Sequence, residues 1–303
     1  MVLSRKLTEH LSLVPPPTNA WKDMVEEITG LRLAQLRGEN KHIIATLQRQ
    51  TKRKSVGSGD LERMLTDWKT NVLIGAHLAS GDTEGALNAI VSRPLNAGIP
   101  GYIRLERHRL CVMTHMRRAA WNDAWIEAQV LNTCLVDEED ELEGQRCLLL
   151  TVLWSSFHQL GIHTEAAIGR TPRLSSFLNS VSLLEPDRTG LHVYVMIYEI
   201  IHLLLQGKMD EANRKVFNLS VNASRNLRSA SSGPVRAFIT FLRVITHYEL
   251  ADPAVRKRVH RHIRRMEPDQ GEIPINSLCP IPLSHLASAL LRLIESQTDQ
   301  TSE

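Results

Sequence analysis

One spacing recurs along the chain and constrains its fold more than any single motif: a small residue followed five positions later by Ala. Gly81-Asp-Thr-Glu-Gly-Ala86 is the clearest copy. Ala119-Ala-Trp-Asn-Asp-Ala124, Gly161-Ile-His-Thr-Glu-Ala166 and Gly207-Lys-Met-Asp-Glu-Ala212 repeat it. Gly38-Glu-Asn-Lys-His-Ile43 and Ala251-Asp-Pro-Ala-Val-Arg256 are weaker copies. The starts at 38, 81, 119, 161, 207 and 251 lie 43, 38, 42, 46 and 44 residues apart. Before each of the four strong copies, the chain is apolar at helical spacing. The expected reason is an elbow. One helix ends at the small residue, which can take a left-handed or tight-turn conformation. A polar residue or two then caps the next helix, and the Ala sits where two antiparallel helices come closest. A helix pair cannot bury its apolar faces alone, so consecutive pairs are expected to stack.

Helical periodicity dominates elsewhere too, with almost no strict apolar/polar alternation of the kind a half-buried strand needs. Helices are predicted at about 20–36, 40–54, 60–79, 83–93, 101–118, 121–136, 141–160, 173–183, 190–206, 209–228, 234–250, 253–266 and 283–296. Gly57-Ser58-Gly59-Asp60 reads as a loop ending in an N-cap at Asp60. Asp252-Pro253 reads as an N-cap followed by Pro at the first helical position, where a missing N–H costs nothing. Residues 1–19 end in three prolines and read as a flexible leader. Residues 20–266 carry the repeats, 267–282 form a Pro-rich connector, 283–296 a terminal helix and 297–303 a disordered polar tail.

The elbow pattern resembles the tetratricopeptide-like superfamily over about residues 21–266. In that superfamily a small residue ends the first helix of each pair and an Ala lies early in the second. Trp121 and Met209 stand where it often places a large apolar side chain. The gaps exceed the standard unit of about 34 residues. The Trp-Leu-Gly-Tyr positions of the first helix are mostly absent, so the likeness is to long-repeat members and no peptide-binding residue carries over. The resemblance implies an all-α, right-handed α-solenoid of about six antiparallel helix pairs plus a C-terminal capping helix. An irregular helical bundle is the competing reading. The expected packing residues are Gly81, Ala86, Ala119, Trp121, Ala124, Gly161, Ala166, Gly207 and Ala212.

The chemistry expected of the chain is sparse. Gly207-Lys208 lacks the glycine that a phosphate loop needs five residues ahead of it, and no Gly-x-Ser-x-Gly elbow or His-Glu-x-x-His pair occurs. Cys111, Cys134, Cys147 and Cys279 show no Cys-x-x-Cys spacing, so reduced thiols in an intracellular protein are expected. The expected compartment is cytoplasmic or nuclear, with a weak mitochondrial alternative from Arg5 and Lys6 near the start. No apolar run reaches the roughly 18 residues of a membrane span. Among 13 histidines, His260 and His262 are two apart, about 200° around a helix, and cannot share a metal. His158 and His163 flank an elbow and could meet. No catalytic residue, metal or cofactor is expected.

Two charged segments stand out. Residues 137–143 read Asp-Glu-Glu-Asp-Glu-Leu-Glu; Asp137, Glu138, Glu139 and Asp140 suit a solvated helix start or a dock for a basic partner. Residues 256–265 hold Arg256, Lys257, Arg258, Arg261, Arg264 and Arg265 on a helix whose Val255, Val259, Ile263 and Met266 form an inward stripe. That cationic face could be simple solvated surface, a site for an acidic partner or an import factor, or a contact for nucleic acid phosphates. The net charge of only +3 means that any such role is local. The function expected first is a non-enzymatic adaptor or scaffold subunit that binds a partner protein or peptide along stacked helix pairs. A sensory domain binding a peptide or small ligand in a transcription or signalling system is the alternative. A nucleic-acid-associated protein using 256–265 is the third.

Overall fold

The computed structural model describes residues 19–51, 59–95, 99–134, 141–165, 177, 191–226, 233–248, 252–266 and 280–301. Among them are twelve α-helices and no strand. None of these helices is long and apolar enough to cross a membrane. The chain divides into two compact units, residues 1–107 and 108–303.

The first unit holds α1 (Asn19–Arg37), α2 (Asn40–Thr51), α3 (Asp60–Ala79), α4 (Thr83–Ser92) and the start of α5 (Gly101–Arg117). Successive helices from α1 to α4 pack on one another. Their core joins Leu31, Ala34, Ile43, Leu47, Trp68, Val72, Ala76, Tyr102 and Ile103. Spacings of three and four within each helix put these side chains on one face. Arg32 lies over the Trp68 ring, 5.6 Å from its centroid. Lys69 reaches across to Glu27 at 2.7 Å. Burial of Tyr102 pushes its hydroxyl up to about 12. One capping expectation is corrected: Gly59, not Asp60, is the N-cap of α3. Asp60 is instead the first helical residue, where its carboxylate faces the positive end of the helix dipole.

The second unit holds α6 (Trp121–Cys134), α7 (Glu141–Gln159), α8 (Leu191–Leu205), α9 (Met209–Asn226), α10 (Gly233–His247), α11 (Pro253–Met266) and α12 (Leu283–Thr301), with the rest of α5. From α6 to α11 each helix packs on the next. The predicted helix at 173–183 lies outside the described residues except for Phe177, which is buried and helical. The connector expected at 267–282 is described only from Pro280.

The terminal helix departs from expectation at its end. Expected over 283–296, it continues to Thr301, so 297–301 are helical rather than a disordered tail. No Gly or Pro stands in that stretch to stop it. Leu286, Leu290, Leu291 and Ile294 are buried, and α12 packs on α8, α10 and α11 of its own unit. The Arg117 Nε–H donates to the Pro280 carbonyl at 3.2 Å, tying the end of α5 to the approach to α12.

Candidate functional site

The elbows set where each following helix begins. Gly38, Gly81, Ala119, Gly161 and Gly207 all have positive φ, between 55° and 77°. Ala119, at 55°, is the one non-glycine among the described residues with that conformation. At each elbow the following N–H donates to the carbonyl five residues back. The five pairs, Glu39 to Ala34, Asp82 to His77, Ala120 to His115, Ile162 to Phe157 and Lys208 to Leu203, all measure 2.9 Å. The elbow's own N–H donates to the carbonyl three back at 2.9–3.1 Å. This pair of hydrogen bonds satisfies carbonyls that the helix end would leave bare, and it needs a left-handed residue at the elbow.

The fifth position after the elbow is equally uniform. Ala86, Ala124, Ala212 and, at the first elbow, Ile43 are fully buried. Ala166 lies outside the described residues. The sixth copy departs: Ala251 is outside the described residues and Arg256 is exposed. Asp252 does cap α11 as expected, its Oδ1 accepting the Ala254 N–H at 2.8 Å. Asp82 caps α4, with Oδ1 on the Gly85 N–H at 2.8 Å and Oδ2 on His77 Nδ1 at 2.7 Å. The Gly85 hydrogen bond, reinforced by His77, holds the Asp82 carboxyl below its ordinary range. A Cβ at Gly85 would run into both Asp82 Oδ2 and the His77 ring, so glycine is required there by space.

At the fourth elbow, 161, the two histidines singled out from sequence do meet, with ring centroids 5.3 Å apart. His163 stacks on Trp121 at 4.6 Å and leans on Trp154 at 4.4 Å. Trp125 packs on Trp154 at 4.5 Å, and Phe157 is edge-on to Trp121. Two hydrogen bonds fix the cluster: Trp154 Nε1–H to the Trp121 carbonyl at 3.0 Å, and His163 Nε2–H to the Trp154 carbonyl at 2.9 Å. Burial keeps the His163 imidazole below its ordinary pKa, despite Glu165 at 3.3 Å. The cluster is solid packing that locks α6 to α7. Among the described residues, no three His, Cys, Asp or Glu side chains gather as metal ligands. Cys134 carries a free thiol, and Cys111 is buried.

Sequence reasoning missed a buried polar knot in the first unit. Arg107 is almost wholly buried, and its Nε–H donates to Asn71 Oδ1. Its other nitrogens reach the Arg93 carbonyl at 2.8 Å and the Asp67 carbonyl at 3.2 Å. Arg93 Nε–H donates to Asp67 Oδ1 at 2.9 Å, and Asn71 Nδ2–H donates to the Ile103 carbonyl at 2.9 Å. The signal was there: Arg107 lies four residues from each of Ile103 and Cys111, on a core-facing stripe.

On α11 the cationic side chains lie on the exposed face, but His262, which the expected apolar stripe left out, joins the buried one. Val259, His262 and Met266 are buried, Val255 and Ile263 half-buried. Arg256, Lys257, Arg258, Arg261, Arg264 and Arg265 are all exposed, with His260 among them. Arg243 of α10 is exposed and adds to the positive field at His262. Burial lowers the His262 pKa most, and Arg265, Arg258, Arg261 and Arg243 lower it further. Beside this face the Arg258 guanidinium lies over the Tyr248 ring at 5.5 Å, and Tyr248 is 44% exposed. The acidic residues Asp137, Glu138, Glu139 and Asp140 lie outside the described residues.

No family model, curated protein or solved structure matches the chain.

Proposed function

We propose that the chain is a right-handed α-solenoid of tetratricopeptide-like helix pairs that works as a non-enzymatic interaction module, an adaptor or scaffold subunit within the cell. The observation that carries this reading is the shared elbow: five turns with one backbone conformation and one hydrogen-bond pattern. Repetition of a helix-pair unit is what lets a chain build an extended surface from local contacts. Several large apolar side chains stand exposed on the helices that follow elbows: Val91 on α4, Ile126 on α6 and Phe217 on α9. Such side chains cost little singly and become anchors when a partner covers them. The free thiol of Cys134 fits a reducing compartment.

Affinity purification of the full-length protein from its own cells, with chemical crosslinking, tests this reading. The expected result is a stoichiometric protein partner that survives moderate salt and is lost from the Phe217→Glu variant. Absence of a stoichiometric partner at both low and moderate salt would overturn the constitutive-subunit role.

A further inference from the structure

We infer that the arginine face of α11, together with Tyr248, is a binding surface for single-stranded nucleic acid. Residues 233–266 contain eight Arg or Lys and two carboxylates, a local net charge of +6. The whole chain is +3, so the remainder is −3 (3 minus 6). Of the two local carboxylates, Glu249 falls in sequence after the end of α10 and Asp252 caps α11. Helices α10 and α11 contain none. Among the described residues, no ion pair engages Lys257, Arg258, Arg261, Arg264 or Arg265. A positive field so concentrated on an otherwise mildly acidic chain attracts polyanions.

Geometry and side-chain choice narrow the polyanion. Lys257, Arg261 and Arg265 form one row four residues apart, and Arg256, His260 and Arg264 a second. Their heads repeat about every 6 Å along the helix, close to the step between neighbouring phosphates in an unpaired strand. Five of the six cations are arginine, whose planar fork matches phosphate oxygens and stacks on flat rings. Tyr248 favours one class of partner. It is exposed at the edge of the cationic face, with Arg258 over its ring and His247 edge-on at 4.8 Å. An acidic polypeptide offers this platform a flat ring only where it happens to carry an aromatic side chain, whereas every base has a π-face. Stacking requires bases free of a duplex, so the strand is single.

Fluorescence anisotropy with labelled oligouridine and oligothymidine of about 16 nucleotides tests the proposal on the full chain. The expected salt slope of log K is about −0.7 for each phosphate contacted. The triple variant Arg261→Gln, Arg264→Gln, Arg265→Gln should lose affinity about tenfold or more and flatten the slope by about 2. Tyr248→Ala should weaken binding about fivefold or more with the slope unchanged. Lys22, Arg37 and Lys41 are exposed in the first unit. Changing those three to Gln should leave binding as it was. Circular dichroism confirms that each variant is folded; all the altered side chains are exposed. Binding to either sugar supports the proposal. Three results overturn it: no binding at low salt, equal loss from both triple variants, or displacement by polyglutamate or a duplex at lower concentration than by the single strand.

Discussion

Ala119 holds at φ 55° the conformation that glycine holds at the other four described elbows. A Cβ there crowds the neighbouring carbonyl, at a cost of roughly 1–2 kcal/mol for an L-residue. Replacing it with Gly relieves that crowding but enlarges the unfolded ensemble, which offsets up to about 1 kcal/mol. Ala119→Gly is therefore expected to stabilise the protein by about 0.5–1 kcal/mol. Gly81→Ala should destabilise by a similar or larger amount. Urea melts of the pair check both signs; destabilisation by Ala119→Gly would mean that its methyl packs usefully. From sequence, the five elbow residues were legible as small, and the left-handed turn was a consequence of their role. The need for glycine at Gly85 was not legible, because it comes from Asp82 and His77 folding back onto α4.

Among the elements, most helix ends lay within two or three residues of their sequence signals. The 3.6-residue period and the elbow residues both act locally, so a sequence shows them directly. The end of α12 was the exception, since polar residues without a stop signal read equally as tail or helix. The knot on α3 and α5 was hidden for the opposite reason. Its charges sit on faces that periodicity marks as core, and only tertiary contact reveals what satisfies them. Arg107→Met fits the volume but strips partners from Asn71 and from the Arg93 and Asp67 carbonyls. Breaking one member of such a buried set costs about 3–5 kcal/mol, well above an ordinary surface change. Chemical denaturation of this variant should show that loss, and a cost under about 1 kcal/mol would show that the knot is dispensable.

For the whole molecule, four histidines point to one pH response. His115, His163, His202 and His262 are all held below their ordinary pKa, with burial the largest cause in each. The unfolded chain therefore takes up protons first as pH falls below about 6.5. Their contribution to stability is fully present above that value and is lost as pH drops through the lowered, folded-state pKa values. The melting temperature should fall between about pH 7.5 and pH 5.5. A flat or rising profile over that window would show that acid pairings such as His163 with Glu165 outweigh burial.

The sequence by itself determined the helices, the elbows and the residues that pack beneath them. These follow from periodicity, turn chemistry and the volume of one side chain, all properties of short stretches. It also set the cationic arc of α11, because the apolar stripe of a helix dictates its opposite face. Only the tertiary structure brought Arg243 and Tyr248 beside that arc, stacked His163 between Trp121 and Trp154, and wrapped Asp67 and Asn71 around Arg107. Those arrangements join residues from different helices. Their energies depend on distance and burial, quantities that spacing along a chain does not carry.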